Sequence, residues 1–295
     1  MLPYLFGLIS AFCFGISNAY WKSAGKSNSF SNIVFFRGII ATSCFVLIWF
    51  LLSHFSKNTF LIINAGATPL QYLKTILLCM VCSIGLVFYL LSLNYSPVSI
   101  SVPISSINIF SILTAVFVLG ETFKTIYFAS FALAFSGILL SQSFKIDKNG
   151  IRWTKGATYS LLASLFWGTS YTLFKLSSSW LGAIPLAFLL ECCVTITALI
   201  WMIFSKSGSI KKRGQLSAQN IKHYLILAIL LVGGTLFFNL AIQQIPVLLF
   251  NILGNFTLVV SIIAGILFYG EKLTAKQVAG ISLVVISIAI VQFAK

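Results

Sequence analysis

An all-α membrane protein with ten transmembrane helices, arranged as two inverted five-helix repeats, is the fold the sequence predicts. Three observations carry that expectation. Hydrophobic residues make up 59% of the 295 positions and charged residues only 8%, whereas a soluble domain carries about 25% charged residues. The apolar runs are long and continuous rather than alternating, which favours helices over a closed β-barrel, the two structures that satisfy every backbone group in lipid. Finally, the hydrophobic segments come twice.

The duplication is visible residue by residue. Leu8–Lys22 reads LISAFCFGISNAYWK and Leu161–Lys175 reads LLASLFWGTSYTLFK, so that Gly15 falls on Gly168, Ser17 on Ser170 and Lys22 on Lys175 at an offset of 153. Gly120-Glu121 returns as Gly270-Glu271 after a second long apolar stretch. Pseudo-symmetric halves in a hydrophobic chain point to transport, because they can rock about a shared site.

Ten runs approach the roughly 20 residues that a spanning helix needs. They are Pro3–Trp21, Phe30–Leu52, Thr75–Leu93, Val98–Leu119, Thr125–Phe144, Gly156–Phe174, Trp180–Phe204, Tyr224–Ile245, Pro246–Tyr269 and Val278–Ala294. The first has no positive charge before it and belongs to the repeat, so it is expected to remain in the mature protein rather than to be removed as a signal peptide. The polar stretches Ser53–Pro69, Ser143–Lys155 and Ser205–Lys222 are each too short to bury a core. The middle one separates a first repeat, 1–144, from a linker, 145–155, and a second repeat, 156–295. Five spans per repeat would insert the second upside down relative to the first.

The net charge of +15 is read as topology, not as nucleic-acid binding, because the positives sit in short loops. With Arg37 set aside inside a helix, 13 Lys and Arg fall on one side and 5 on the other, which by the positive-inside rule puts both termini outside. Lys211, Lys212 and Arg213, with Lys206 and Lys222, also suit anionic headgroups. The six cysteines all lie in predicted helices as small apolar residues, with no disulfide framework. No metal or cofactor is expected.

Polar residues inside the apolar runs supply the candidate site. Glu191, in FLLECCVT, sits mid-helix, where a charge costs about 2.5–3.5 kcal/mol. Arg37, in VFFRGII, is its near-equivalent across the repeat. Three readings follow: the two form a buried ion pair that locks or times a conformational change; Glu191 takes a proton or an amine and Arg37 a carboxylate; or Arg37 snorkels to the interface. Asn251 and Asn255 share a helix face, as do Ser101, Ser105 and Asn108 on an earlier run. Asn18 and Trp21, Tyr89, Trp167 and Tyr171, and Asn239 complete an expected lining of amides, hydroxyls and aromatic faces, which suits a small amphiphilic metabolite. The 28 Phe are read as mostly lipid-facing bulk, not a binding box. Glu121 and Glu271, near helix ends and followed by Lys124 or by Lys272 and Lys276, are read as structural turns or interfacial pairs. An HExxH motif, a GxGxxG motif and a phosphate loop are all missing from the sequence, so no enzyme is expected.

Two five-helix halves, opening with FGISNAYWK and WGTSYTLFK, and GE closing the fourth run of each, resemble the EamA-like branch of the drug/metabolite transporter superfamily over nearly the whole chain. The resemblance implies a secondary carrier in a bacterial-type inner membrane, alternating access, and protons or a counter-substrate as coupling partners. It also implies cytoplasmic termini, opposite to the charge count. The function expected is export of amino acids or related metabolites. Uptake or exchange of a nucleotide-derived or sugar-like metabolite, and a non-transporting receptor or scaffold, are the alternatives.

Overall fold

A computed structural model describes residues 2–55, 66–96, 98–106, 109–122, 124–141, 155–204, 217–269 and 274–293. Every regular element among them is a helix: α1 (Leu2–Ser27), α2 (Phe30–Phe55), α3 (Pro69–Tyr95), α4 (Val98–Ser105), α5 (Ile109–Phe117), α6 (Thr125–Ser141), α7 (Lys155–Leu181), α8 (Ala183–Phe204), α9 (Ala218–Ile242), α10 (Val247–Gly254), α11 (Phe256–Tyr269) and α12 (Ala275–Phe293).

Local chemistry sets several boundaries. Helix α3 begins with a capping box: the Thr68 hydroxyl accepts the Gln71 N–H, the Gln71 side chain accepts the Thr68 N–H at 2.8 Å, and Pro69 opens the first turn. Ser217 accepts the Asn220 N–H at 3.2 Å to start α9. Helices α7 and α8 are separated by Gly182 alone, which takes a φ of 97° that side chains disfavour.

The expectation of ten transmembrane helices is corrected here. Among the described residues, six helices are long and apolar enough to cross a membrane: α1, α2, α3, α8, α9 and the continuous stretch Val247–Phe268 of α10 and α11. Within the run expected at Val98–Leu119, the described residues form two short helices, α4 and α5. Within α6 and α12 the apolar stretches among the described residues are Thr125–Gly137 and Val278–Ser287. Helix α7 has the length, at 27 residues, but its hydroxyl residues Ser160, Ser164, Thr169, Ser170, Thr172 and Ser177–Ser179 hold its hydropathy down.

Packing follows a repeated rule. Helix α1 lies antiparallel to α9, with Phe6 near Phe237 at one end and the Tyr20 hydroxyl 2.8 Å from His223 Nδ1 at the other. Helix α3 lies antiparallel to α7, from Cys82 beside Trp167 to Tyr95 beside Tyr159. Helices α2 and α8 pair through Arg37–Glu191 and Trp49–Phe188. Helix α1 also packs on α11, and α7 on α5, while α6 and α12 pack on each other. Gly15 and Gly168, the glycines that align in the repeat, occupy matching tight crossings. A Cβ at Gly15 would come within 2.6 Å of Val260, and one at Gly168 within 2.9 Å of the Ser111 backbone.

Candidate functional site

The helices surround a cavity of about 200 Å3. Its described lining comes from every helix except α6 and α12. Three features give it chemical character.

The first is an ion pair. Arg37 Nη1 of α2 donates to Glu191 Oε2 of α8 at 2.5 Å, with the two side chains only 2% and 4% exposed. Arg37 therefore does not snorkel. Thr195, one turn beyond Glu191, returns its hydroxyl to the Glu191 carbonyl at 2.7 Å, so it takes no share of the carboxylate there. Buried charges of this kind are tolerable only when paired, and the pair leaves the wall neutral overall. Arg37 Nε is buried with no hydrogen-bond partner among the described residues.

The second is an aromatic wall. Tyr89 and Trp167 lie 5.2 Å apart, Trp167 stacks on Tyr171 at 6.1 Å, Tyr171 meets Phe238 at 5.0 Å, and Phe238 meets Phe250 edge-on at 4.9 Å. The Trp167 indole N–H donates to the Cys82 carbonyl at 3.2 Å, which fixes the ring against α3. The Tyr89 hydroxyl lacks a partner among the described residues although it is buried beside the cavity.

The third is a polar seam across the point where α5, α7 and α10 meet. Asn251 Nδ2 donates to Ser111 Oγ at 2.7 Å, Ser111 and Thr172 share a 2.6 Å hydroxyl contact, and Thr172 donates to the Gly168 carbonyl at 2.8 Å. The directions run consistently from amide to hydroxyl to hydroxyl to carbonyl. The close crossing at Gly168 brings Ser111 within reach of Thr172.

Of the expected site residues, Asn18, Trp21, Tyr89, Ser105, Trp167, Tyr171, Asn251 and Asn255 line the cavity, together with Arg37 and Glu191. Asn108 lies outside the described residues. Asn239 is not in the lining: its amide turns away and donates to the Ala183 carbonyl at 3.2 Å, where α8 begins. On α9 the cavity face runs through Leu231, Thr235, Phe238 and Ile242; Asn239, one turn beyond Thr235, sits at the edge of that face, and its amide is taken by α8 instead. Phe14, Phe238 and Phe250 are among the phenylalanines that face inward, and all three line the cavity. Ser111 and Thr172 were also missed. Single hydroxyls are common in helices, and only the crossing partner gives them meaning. Among the described residues, no group of three or more His, Cys, Asp and Glu is placed to hold a metal ion.

The model of the EamA-like transporter family matches the chain twice, over residues 1–142 and 154–293. A solved structure, titled only as the crystal structure of a protein, superposes with a TM-score of 0.78 over 99% of this chain and 96% of its own, at 13% identity. That identity establishes a shared fold and nothing further. No curated protein matches the chain.

Proposed function

The chain belongs to the EamA-like transporter family, a multi-pass integral membrane protein that carries small molecules rather than an enzyme, and from that premise we propose that it exports amino acids or closely related zwitterionic metabolites from a bacterial-type inner membrane. The observation that carries this reading is the neutral ion pair facing an aromatic wall. A zwitterion brings one charge of each sign and no net charge. It can meet Arg37 and Glu191 without leaving either buried ion uncompensated. Its side chain would pack on Trp167, Tyr171 and Phe238, and its polar edge would meet the Tyr89 hydroxyl and the Asn251–Ser111 seam.

Size supports the same class. An apolar cavity of about 150 Å3 holds one benzene, so about 200 Å3 suits one small amphiphile. A nucleotide-derived metabolite would need a larger space and a net positive wall, and Glu191 cancels the charge that Arg37 would offer. Alternating access would come from relative motion of residues 1–144 and 156–295 about the cavity, driven by a proton or counter-substrate gradient.

Cells expressing the protein should resist a toxic amino-acid analogue, and Asn255→Ala should weaken that resistance at equal protein abundance. Resistance that is unaffected by Asn255→Ala and by Trp167→Ala would remove the cavity from the pathway. Thermal-shift measurements on purified protein provide an independent check, since a ligand of the folded state raises its apparent stability by mass action. Stabilisation by nucleotide or sugar derivatives, and by no amino acid, would replace this reading with uptake or exchange of such metabolites.

A further inference from the structure

Glu121 lies in the connection between α5 and α6, directly after Gly120, whose φ of 66° sets the turn. A Cβ on Gly120 would meet nothing within 4 Å, so the backbone angle, not crowding, calls for glycine there. The carboxylate that follows does not serve its own segment. Its Oε1 accepts the Val247 N–H and the Lys175 ammonium, each at 2.8 Å, and its Oε2 accepts the Leu248 N–H at 3.1 Å. Lys175, in the C-terminal half of α7, also donates to the Ile245 carbonyl at 3.3 Å.

Helix α10 cannot supply this cap itself. Its N-cap residue is Pro246, which makes no side-chain cap bond, and its first turn holds no acidic residue. The exposed N–H groups of a helix start favour an anion, and here the anion comes from a distant segment of the chain. Val247 lines the cavity, so the capped turn is itself part of the cavity wall. Three separate segments thus meet at one carboxylate, immediately outside the candidate binding space.

We propose that Glu121 is a detachable helix cap, bound to α10 when the cavity is shut at that end and released when it opens. The proposal rests on the transport reading, because a wall that never moved would have no use for a removable cap. Opening between α10 and the α5–α6 connection must pull the carboxylate off both N–H groups. Glu121 is 12% and Lys175 30% exposed, so water can replace the lost partners as they part, which a deeply buried group does not allow. Lys175 holds the carboxylate aimed at the helix start and at the same time ties the C-terminal half of α7 to the α9–α10 connection.

The test places a reporter in the capped turn. Val247→Cys keeps the N–H that Glu121 binds. In reconstituted full-length protein, its reaction with a hydrophilic maleimide is read site by site by mass spectrometry. Glu121→Gln should raise the labelling rate at position 247 about tenfold, the scale of one charge-assisted hydrogen bond, and Lys175→Gln should raise it less. Exchanging the charges, Glu121→Lys with Lys175→Glu, should leave the rate high, because an ammonium cannot accept the α10 N–H groups. An unchanged rate in Glu121→Gln, or closure restored by the exchange, would overturn the cap. Should Glu121→Gln fail to fold, Glu121→Asp retains the charge but falls one methylene short, and the same rate decides. Labelling needs no transported solute. Raised labelling without transport keeps the cap and refutes the transport reading; transport with unchanged labelling refutes the cap alone.

Discussion

Arg37 and Glu191 meet with 2% and 4% of their side chains exposed, Lys175 and Glu121 with 30% and 12%. Both pairs link a residue of the first family match to one of the second, 1–142 to 154–293, and both place a carboxylate against a cation at hydrogen-bonding distance. The surroundings make them different devices. At Arg37–Glu191 water is excluded, so each ion depends on the other and the pair is costly to break from one side. At Lys175–Glu121 water is near, so the ion pair alone adds little, and the two backbone N–H groups of α10 give the carboxylate most of its hold. Burial, more than charge, separates a fixed element of the binding space from a contact that can be exchanged.

The largest expected effect lies at the buried pair. Arg37→Met should lower folding stability by about 3–5 kcal/mol, because it strands Glu191, while Arg37→Met combined with Glu191→Met should recover most of that loss. Thermal unfolding in detergent reads both. A double variant no more stable than the single would mean that the pair is held by something other than mutual charge compensation. Next comes Glu121→Ala, which removes a helix cap and an ion pair together and should cost about 1–2 kcal/mol. Lys175→Met should cost less, no more than about 1 kcal/mol after allowance for its exposure; a loss equal to that of Glu121→Ala would invert the account of which contact holds the carboxylate. The smallest effect is ionic. Raising salt to about 1 M, where screening acts over about 3 Å, should shrink the difference between Lys175→Met and its parent while leaving Arg37→Met as damaging as before.

Much of the lining was legible because buried polar residues are expensive in an apolar helix and therefore stand out. Asn251, Asn255, Trp167, Tyr171 and the Arg37–Glu191 register were found from period and offset alone. Helix continuity was not legible. The two short helices α4 and α5 lie inside one apolar stretch, and the hydroxyl content of α7 disappears in an average over neighbouring helices. Asn239 was misplaced because a single amide does not reveal which neighbour it will find, and here the start of α8 captures it. The role of Glu121 was hidden for a similar reason. Its lysine partner is not the nearby Lys124 considered in the sequence but Lys175, 54 residues away, and its other partners are main-chain groups that no side-chain motif records.

Helices α6 and α12, each packed against the other, contribute nothing to the described cavity wall. Selection for a changed cargo should then leave Thr125–Ser141 and Ala275–Phe293 silent, with altered specificity arising on the inner helices. The same separation makes this outer pair the natural place to staple the last helices of the two repeated segments or to attach a bulky label, since a handle there stands clear of whatever passes through the middle.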